Sequence, residues 1–203
     1  MKNILKLAYQ EVNVSKKFLC LFLTMFIITA FYPSDSEYYK AKEKNTSDYV
    51  YFVEDGLRYT NTVMQVILPI LLADKIGIAQ AVYVGLGTFV SVHTLKRLLN
   101  NVYIKDTRIG QRPRGGKYNM PSGHSAMATS AMSFIIIRYG WIHILYLLPV
   151  SIFTMIVRVL LKAHTISAVL AGAILGIIIG LLFTSKYVKE VKIPKILKFF
   201  IAK

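Results

Sequence analysis

Cysteine is nearly absent from this chain. The single Cys20 among 203 residues excludes an intramolecular disulfide, and its place inside an apolar stretch says little about redox compartment. Acidic side chains are scarce too: 10 Asp and Glu stand against 25 Lys and Arg, for a formal charge of +15. There is no low-complexity tract, no clear internal repeat and no stretch with the composition of a separate soluble domain, so residues 1–203 read as one domain. Apolar sequence is what the chain has in excess. A hydrophobic content of 55% and a mean hydropathy of +0.49 exceed the needs of an ordinary soluble core and call for lipid around the protein.

The apolar windows fall into about six stretches, running approximately Phe18 to Tyr32, Thr60 to Leu72, Ile76 to Leu95, Ser125 to Ile137, Trp141 to Leu161 and Thr165 to Thr184. Several approach the roughly 20 residues that a helix needs to cross a hydrocarbon layer of about 30 Å. The fold class expected is therefore all-α, a polytopic membrane bundle of about six helices. The second and fourth stretches are short and must borrow flanking residues or be packed inside the bundle. Lys2, Lys6, Lys16 and Lys17 before the first stretch also suit a secretory signal, but Phe26 to Ala30 offers no convincing cleavage site. A retained anchor is expected.

The basic residues are not interleaved with an aromatic binding surface; they sit in loops and tails beside the apolar stretches. That favours anionic lipid as partner over nucleic acid, and no obligatory protein partner is expected. With six spans both termini share a side, and their lysines make it cytoplasmic. The tail after Thr184, about residues 185–203, alternates lysines with Val, Ile, Leu and Phe. It suits either an anionic membrane surface or a solvated topology signal. The segments from Tyr32 to Asn61, from Lys96 to His124 and around Lys162 to His164 then face outward. Lys96, Arg97, Lys105, Arg108, Arg112, Arg114 and Lys117 crowd an outer loop that should be poor in basic residues. Either the topology differs or this loop binds an anion, and guanidinium forks match phosphate oxygens.

Three short motifs share that outer side: Lys105 followed by Arg112-Pro113, then Pro121-Ser122-Gly123-His124, then Arg158 with His164. Lys105, Arg112 and Arg158 can neutralise a phosphate, and Ser122 with the backbone around Gly123 can donate to it, the more so if Ser122 caps the following helix. Two histidines suffice for the chemistry. One attacks phosphorus as neutral imidazole, and the other protonates the leaving oxygen and later activates water. This scheme requires no metal or other cofactor. Arg158 and His164 would point about 120° apart on one continuous helix, so the chain should bend between them. His93 and His143 belong to no motif and read as structural; Arg97, Arg108, Arg114 and Arg138 read as arginines snorkelling to headgroups. Ala168, Gly172, Gly176 and Gly180 form a small-residue stripe for close helix packing.

These motifs resemble those of the type 2 phosphatidic acid phosphatase superfamily, K-x6-RP, PSGH and SR-x5-H-x3-D, over roughly Lys96 to Thr184. The resemblance implies a six-helix membrane core like that of the haloperoxidases. It implies phosphate binding by Lys105, Arg112, Ser122, Gly123 and Arg158, an acid role for His124 and a nucleophilic role for His164. Its usual substrates are lipid phosphates.

Two positions depart from the pattern. Val157 replaces a serine, and Ala168 replaces the aspartate that orients the nucleophilic histidine. A backbone carbonyl, Asp106 or an acid of the first outer loop must then set the His164 tautomer. The run from Lys96-Arg97 through Arg108-Ile109-Gly110 and Gly115 to Met120, with His164-Thr165-Ile166 and Ala168-Val169-Leu170, is similar to the lipid A 1-phosphatases, some of which also lack that aspartate. This narrower resemblance implies removal of the 1-phosphate of lipid A at the periplasmic face of a bacterial inner membrane, and with it resistance to cationic peptides. Phosphatases of undecaprenyl diphosphate or phosphatidylglycerophosphate, a lipid-to-lipid phosphotransferase and a non-catalytic lipid-binding protein are the alternatives.

Overall fold

A computed structural model describes residue 8, residues 12–32 and residues 48–187. The amphipathic tail and most of the first outer loop lie outside the described residues. The elements are α1 (Lys16–Ala30), α2 (Asp48–Asp55), a 3-10 turn (Leu57–Tyr59), α3 (Thr60–Leu71), α4 (Lys75–Leu98), β1 (Tyr103–Ile104), β2 (Thr107–Arg108), α5 (Gly123–Tyr139), a second 3-10 turn (Trp141–His143), α6 (Ile144–Leu160) and α7 (Ile166–Phe183). Each of the six apolar stretches lies on a helix: α1, α3, α4, α5, α6 and α7. Three helical segments, Lys75–Leu98, Trp141–Leu160 and Ile166–Phe183, are long and apolar enough to cross a membrane by length and composition.

The bundle is organised around α5 and α7. Of the 17 residues of α5, 12 are buried, so this short helix is packed inside the bundle rather than extended by its flanks. Its small side chains permit that, and Thr129 bonds both Ser125 O at 2.8 Å in its own helix and Ala173 O at 2.9 Å across to α7. The glycine stripe of α7 is the other half of the contact. A Cβ at Gly172 would overlap the Ser122 carbonyl, and one at Gly176 would overlap Thr129 and Ala126 of α5. The helices α1, α4, α3 and α6 surround this pair. Their outward side chains, such as Phe18, Ile28, Leu71, Phe89 and Leu145, stay exposed, as on the lipid-facing side of a membrane bundle.

The two ends of the bundle differ in chemistry. At one end Arg138 grips Asp74 in a bidentate pair, at 2.5 and 2.7 Å, while its Nη1 reaches Gln80 at 3.0 Å and the Ser185 carbonyl at 3.1 Å. Gln80 in turn donates to the carbonyl of Ala8 at 2.7 Å, bringing both described chain ends to this side. Arg138 is only 4% exposed, which corrects the expectation that it snorkels to headgroups. A guanidinium with a fully matched carboxylate, amide and carbonyl has no need of a headgroup. The opposite end carries the three motifs.

Candidate active site

Four segment ends build the site. The last turn of α4 delivers Lys96, the first turn of α5 delivers His124, the C-terminal turn of α6 delivers Arg158, and the connection to α7 delivers His164. The bend expected between Arg158 and His164 is present. The α6 helix stops at Leu160, Lys162 takes a left-handed φ of 50°, and the amides of Ala163 and His164 both donate to the Arg158 carbonyl, at 3.1 and 3.2 Å. This turn replaces the next helical residues and brings the imidazole beside the guanidinium. Arg112 joins from the long loop, which is pinned here by the Arg114 amide bonding the Lys162 carbonyl at 3.0 Å.

His164 is 1% exposed, and its Nδ1 lies 2.7 Å from the backbone oxygen of Asn119. A carbonyl only accepts, so Nδ1 carries the proton and Nε2 keeps its lone pair. Of the three substitutes open for the missing aspartate, the backbone carbonyl is the one in place. Asn119 is fixed by its side chain: Nδ2 donates to Ile109 O at 3.1 Å and Thr165 Oγ1 at 3.0 Å, and Oδ1 accepts from the Thr165 amide at 3.1 Å. Its amide donates to Gly110 O at 2.9 Å. Thr165 also caps α7 by accepting from the Ala168 amide at 3.2 Å. Ala168 itself is fully buried among Ala30, Leu99, Ile109, Met120 and Ala171, an apolar setting hostile to a carboxylate.

The electrostatics are strongly positive. Burial, followed by the charges of Lys96, Arg158 and Arg112, holds His164 far below the ordinary imidazole value. Burial and then Arg158, Arg58, Lys96 and Arg112 push His124 down to about 4. Arg112 is likewise lowered, by burial and by Arg114. Among the described residues, the Nε atoms of Arg58, Arg112 and Arg158 are all buried without a hydrogen-bond partner. Buried donors are costly when unpaired, and three guanidinium groups left with spare donors around two neutral histidines form a seat for an oxyanion.

Ser122 stands at the N-cap position of α5 but makes no side-chain capping bond, so the condition under which it would cap the helix is not met. Its hydroxyl accepts from Ser125 at 3.0 Å and its amide donates to Ala168 O at 2.8 Å. The first-turn amides of α5 therefore have no cap side chain in their way. A Cβ at Gly123 would meet Val92 at 3.5 Å and the Lys96 arm at 3.9 Å, so Gly123 borders the cluster.

Lys105 is not brought to the cluster. It is exposed at the tip of the two-stranded hairpin, in the turn between Ile104 and Thr107, with a φ of 52°. Lys96, which the motif spacing passes over, takes the inward place. Its Nζ donates to Tyr118 O at 2.9 Å, and its charge bears on both histidines. Arg58 and Glu54, which belong to no motif, also reach the cluster; Glu54 is an acid of the first outer loop, but its partner is Arg158 rather than His164. His93 and His143 make local contacts away from the cluster, the first tilted against the Phe89 ring with centroids 4.4 Å apart and the second bonded to Tyr146 at 2.7 Å.

The bundle thus gathers His124, His164, Lys96 and the guanidinium groups of Arg58, Arg112 and Arg158 at one end. Residues 76–192 match the family model of the PAP2 superfamily, and the chain belongs to that superfamily. It is a phosphatase of phosphoric monoesters. It is 37% identical over 173 residues to the lipid A 1-phosphatase of Helicobacter pylori (strain ATCC 700392 / 26695), covering 85% of this chain and 90% of that protein. Identity to the lipid A 1-phosphatase of strain J99 is 38% over 173 residues, covering 85% and 89%. The lipid A 4'-phosphatase of strain J99 is 31% identical over 163 residues, covering 73% and 78%. No solved structure matches the chain.

Proposed function

We propose that this chain removes the 1-phosphate of lipid A through a phosphohistidine on His164, at the periplasmic face of the inner membrane. The observation that carries the chemistry is the Asn119 carbonyl on Nδ1 of His164, which leaves Nε2 as the nucleophilic atom inside a cluster of cations. The Nε2 lone pair attacks phosphorus, the bond to the sugar oxygen breaks, and His124 gives that oxygen its proton. His124 then takes a proton from water, which attacks the phosphohistidine, releases inorganic phosphate and restores His164. Lys96, Arg112 and Arg158 hold the phosphate oxygens and the charge that shifts among them.

Burial and then the surrounding cations keep His124 neutral at pH 7. A bound phosphate brings negative charge that offsets this field and raises the imidazole, so the acid is charged as substrate arrives. The lipid A reading is supported by the two relatives so named at 37% and 38% identity, against 31% for the 4'-phosphatase. The topology is supported by the placement of both described chain ends opposite the site, since Lys16 and Lys17 of the described residues flank the same side. Loss of a phosphate would make the cell surface less anionic and less attractive to cationic peptides.

The test is turnover by the purified protein in detergent. Lipid A should release inorganic phosphate, and mass spectrometry of the product should place the loss at position 1. Loss at 4', preference for undecaprenyl diphosphate or phosphatidylglycerophosphate, or label transfer to a second lipid would overturn the substrate or the reaction. Absence of turnover on all of them would overturn the enzyme.

A further inference from the structure

Glu54 lies near the end of α2, 8% exposed, and its carboxylate reaches into the cation cluster. A single oxygen, Oε1, accepts from Arg58 Nη1 at 2.8 Å and from Nη1 of Arg158. One oxygen bridging two guanidinium groups is the arrangement that a phosphate oxygen would adopt between them. The carboxylate does not satisfy the pair, because the Nε atoms of both arginines remain buried and unpartnered. A phosphate offers a tetrahedral set of oxygens where a carboxylate offers two in a plane, so it can serve donors that Glu54 leaves over. Arg58 belongs to no motif, yet its charge bears on His124 together with those of Arg158, Lys96 and Arg112. Four cations thus face the position of the acid, and Glu54 is one carboxylate set against them.

We propose that Arg58 is a further phosphate-binding residue, and that Glu54 is a built-in counter-anion that holds the Arg58–Arg158 pair in the empty site and yields it to the substrate phosphate. The inference rests on reading this cluster as the phosphate seat. Glu54 keeps two arginines from repelling each other out of position, at the cost of competing with the ligand. Glu54 and Arg58 are four residues apart on one short segment, so the carboxylate yields by rotation of its own side chain while Arg58 stays in place.

Binding of inorganic phosphate to the purified full chain, measured by calorimetry, tests this without need of turnover. Relative to wild type, Glu54→Gln should bind phosphate roughly tenfold more tightly and Arg58→Gln roughly tenfold more weakly, with Arg58→Lys in between, as expected for one charge-assisted interaction gained or lost. Weaker or unchanged binding in Glu54→Gln would show that Glu54 only positions Arg158, and unchanged binding in Arg58→Gln would remove Arg58 from the site. Should Glu54→Gln fail to fold, as judged by its thermal melt, the two Arg58 variants still decide whether Arg58 binds phosphate. The same shifts are expected in a His164→Ala background. A failure of the His164 chemistry with these shifts intact would overturn the catalytic reading and leave this one standing.

Discussion

The imidazole of His164 and the backbone carbonyl of Asn119 are joined at 2.7 Å, Nδ1 to oxygen, in a buried position where a carboxylate would otherwise be expected. A neutral acceptor fixes the tautomer as a charged one does, but it stabilises an imidazolium less than a carboxylate would. It suits a histidine that must stay neutral until it attacks.

The carbonyl is only as well placed as the Asn119 side chain makes it. Asn119→Ala removes three hydrogen bonds to Ile109 and Thr165. The expected result is a fall in kcat of about 100-fold from a misplaced nucleophile, with KM changed far less, and a stability loss of about 1–3 kcal/mol. Ala168→Asp, which restores the usual family residue, should destabilise the protein rather than activate it, because the site lies among Ala30, Leu99, Met120 and Ala171. Steady-state kinetics with thermal melts check both.

Lys96 and Lys105 separate the structural account from the motif account. Lys96→Ala should lower kcat/KM by at least about tenfold through loss of a charge-assisted contact. Lys105→Ala, at an exposed hairpin turn, should change it by less than about twofold. The reverse order would return the phosphate role to Lys105.

Stability should fall with acid in a window set by the histidines. The imidazole of an unfolded chain takes up its proton near pH 6.5, but His124 in the folded protein does so only at about 4. Between those values the unfolded state binds more protons, so stability present above about pH 6.5 is lost as the pH drops towards 4. His164, lowered further still, extends the loss in the same direction. Thermal melts from pH 7.5 to 4.5 should show the decline, and His124→Gln should flatten part of it.

Much of the proposed site was legible in the sequence because phosphoryl transfer needs particular side chains at particular spacings. Arg112, Ser122, Gly123, His124, Arg158 and His164 announce themselves, and the bend after Arg158 follows from helical rotation alone. The substitute for the aspartate was not legible, since a backbone carbonyl has no residue type to betray it. Lys105 fitted the K-x6-RP spacing, but residues 103–108 fold into a hairpin that holds it at an exposed turn, and the last turn of an apolar helix supplies Lys96 instead. Arg138 looked like a boundary arginine because its partner, Asp74, is 64 residues away in sequence. The pairing of Glu54 with Arg158 was hidden for the same reason, since 104 residues separate them.

The central claim is that His164 carries the phosphate. Brief reaction with lipid A labelled at the 1-phosphate, quenched in alkali to preserve phosphohistidine, should leave label on the peptide containing His164 and none on the His164→Ala protein, which should lose nearly all turnover while folding normally. Label on His124, or wild-type turnover by His164→Ala, would contradict the account.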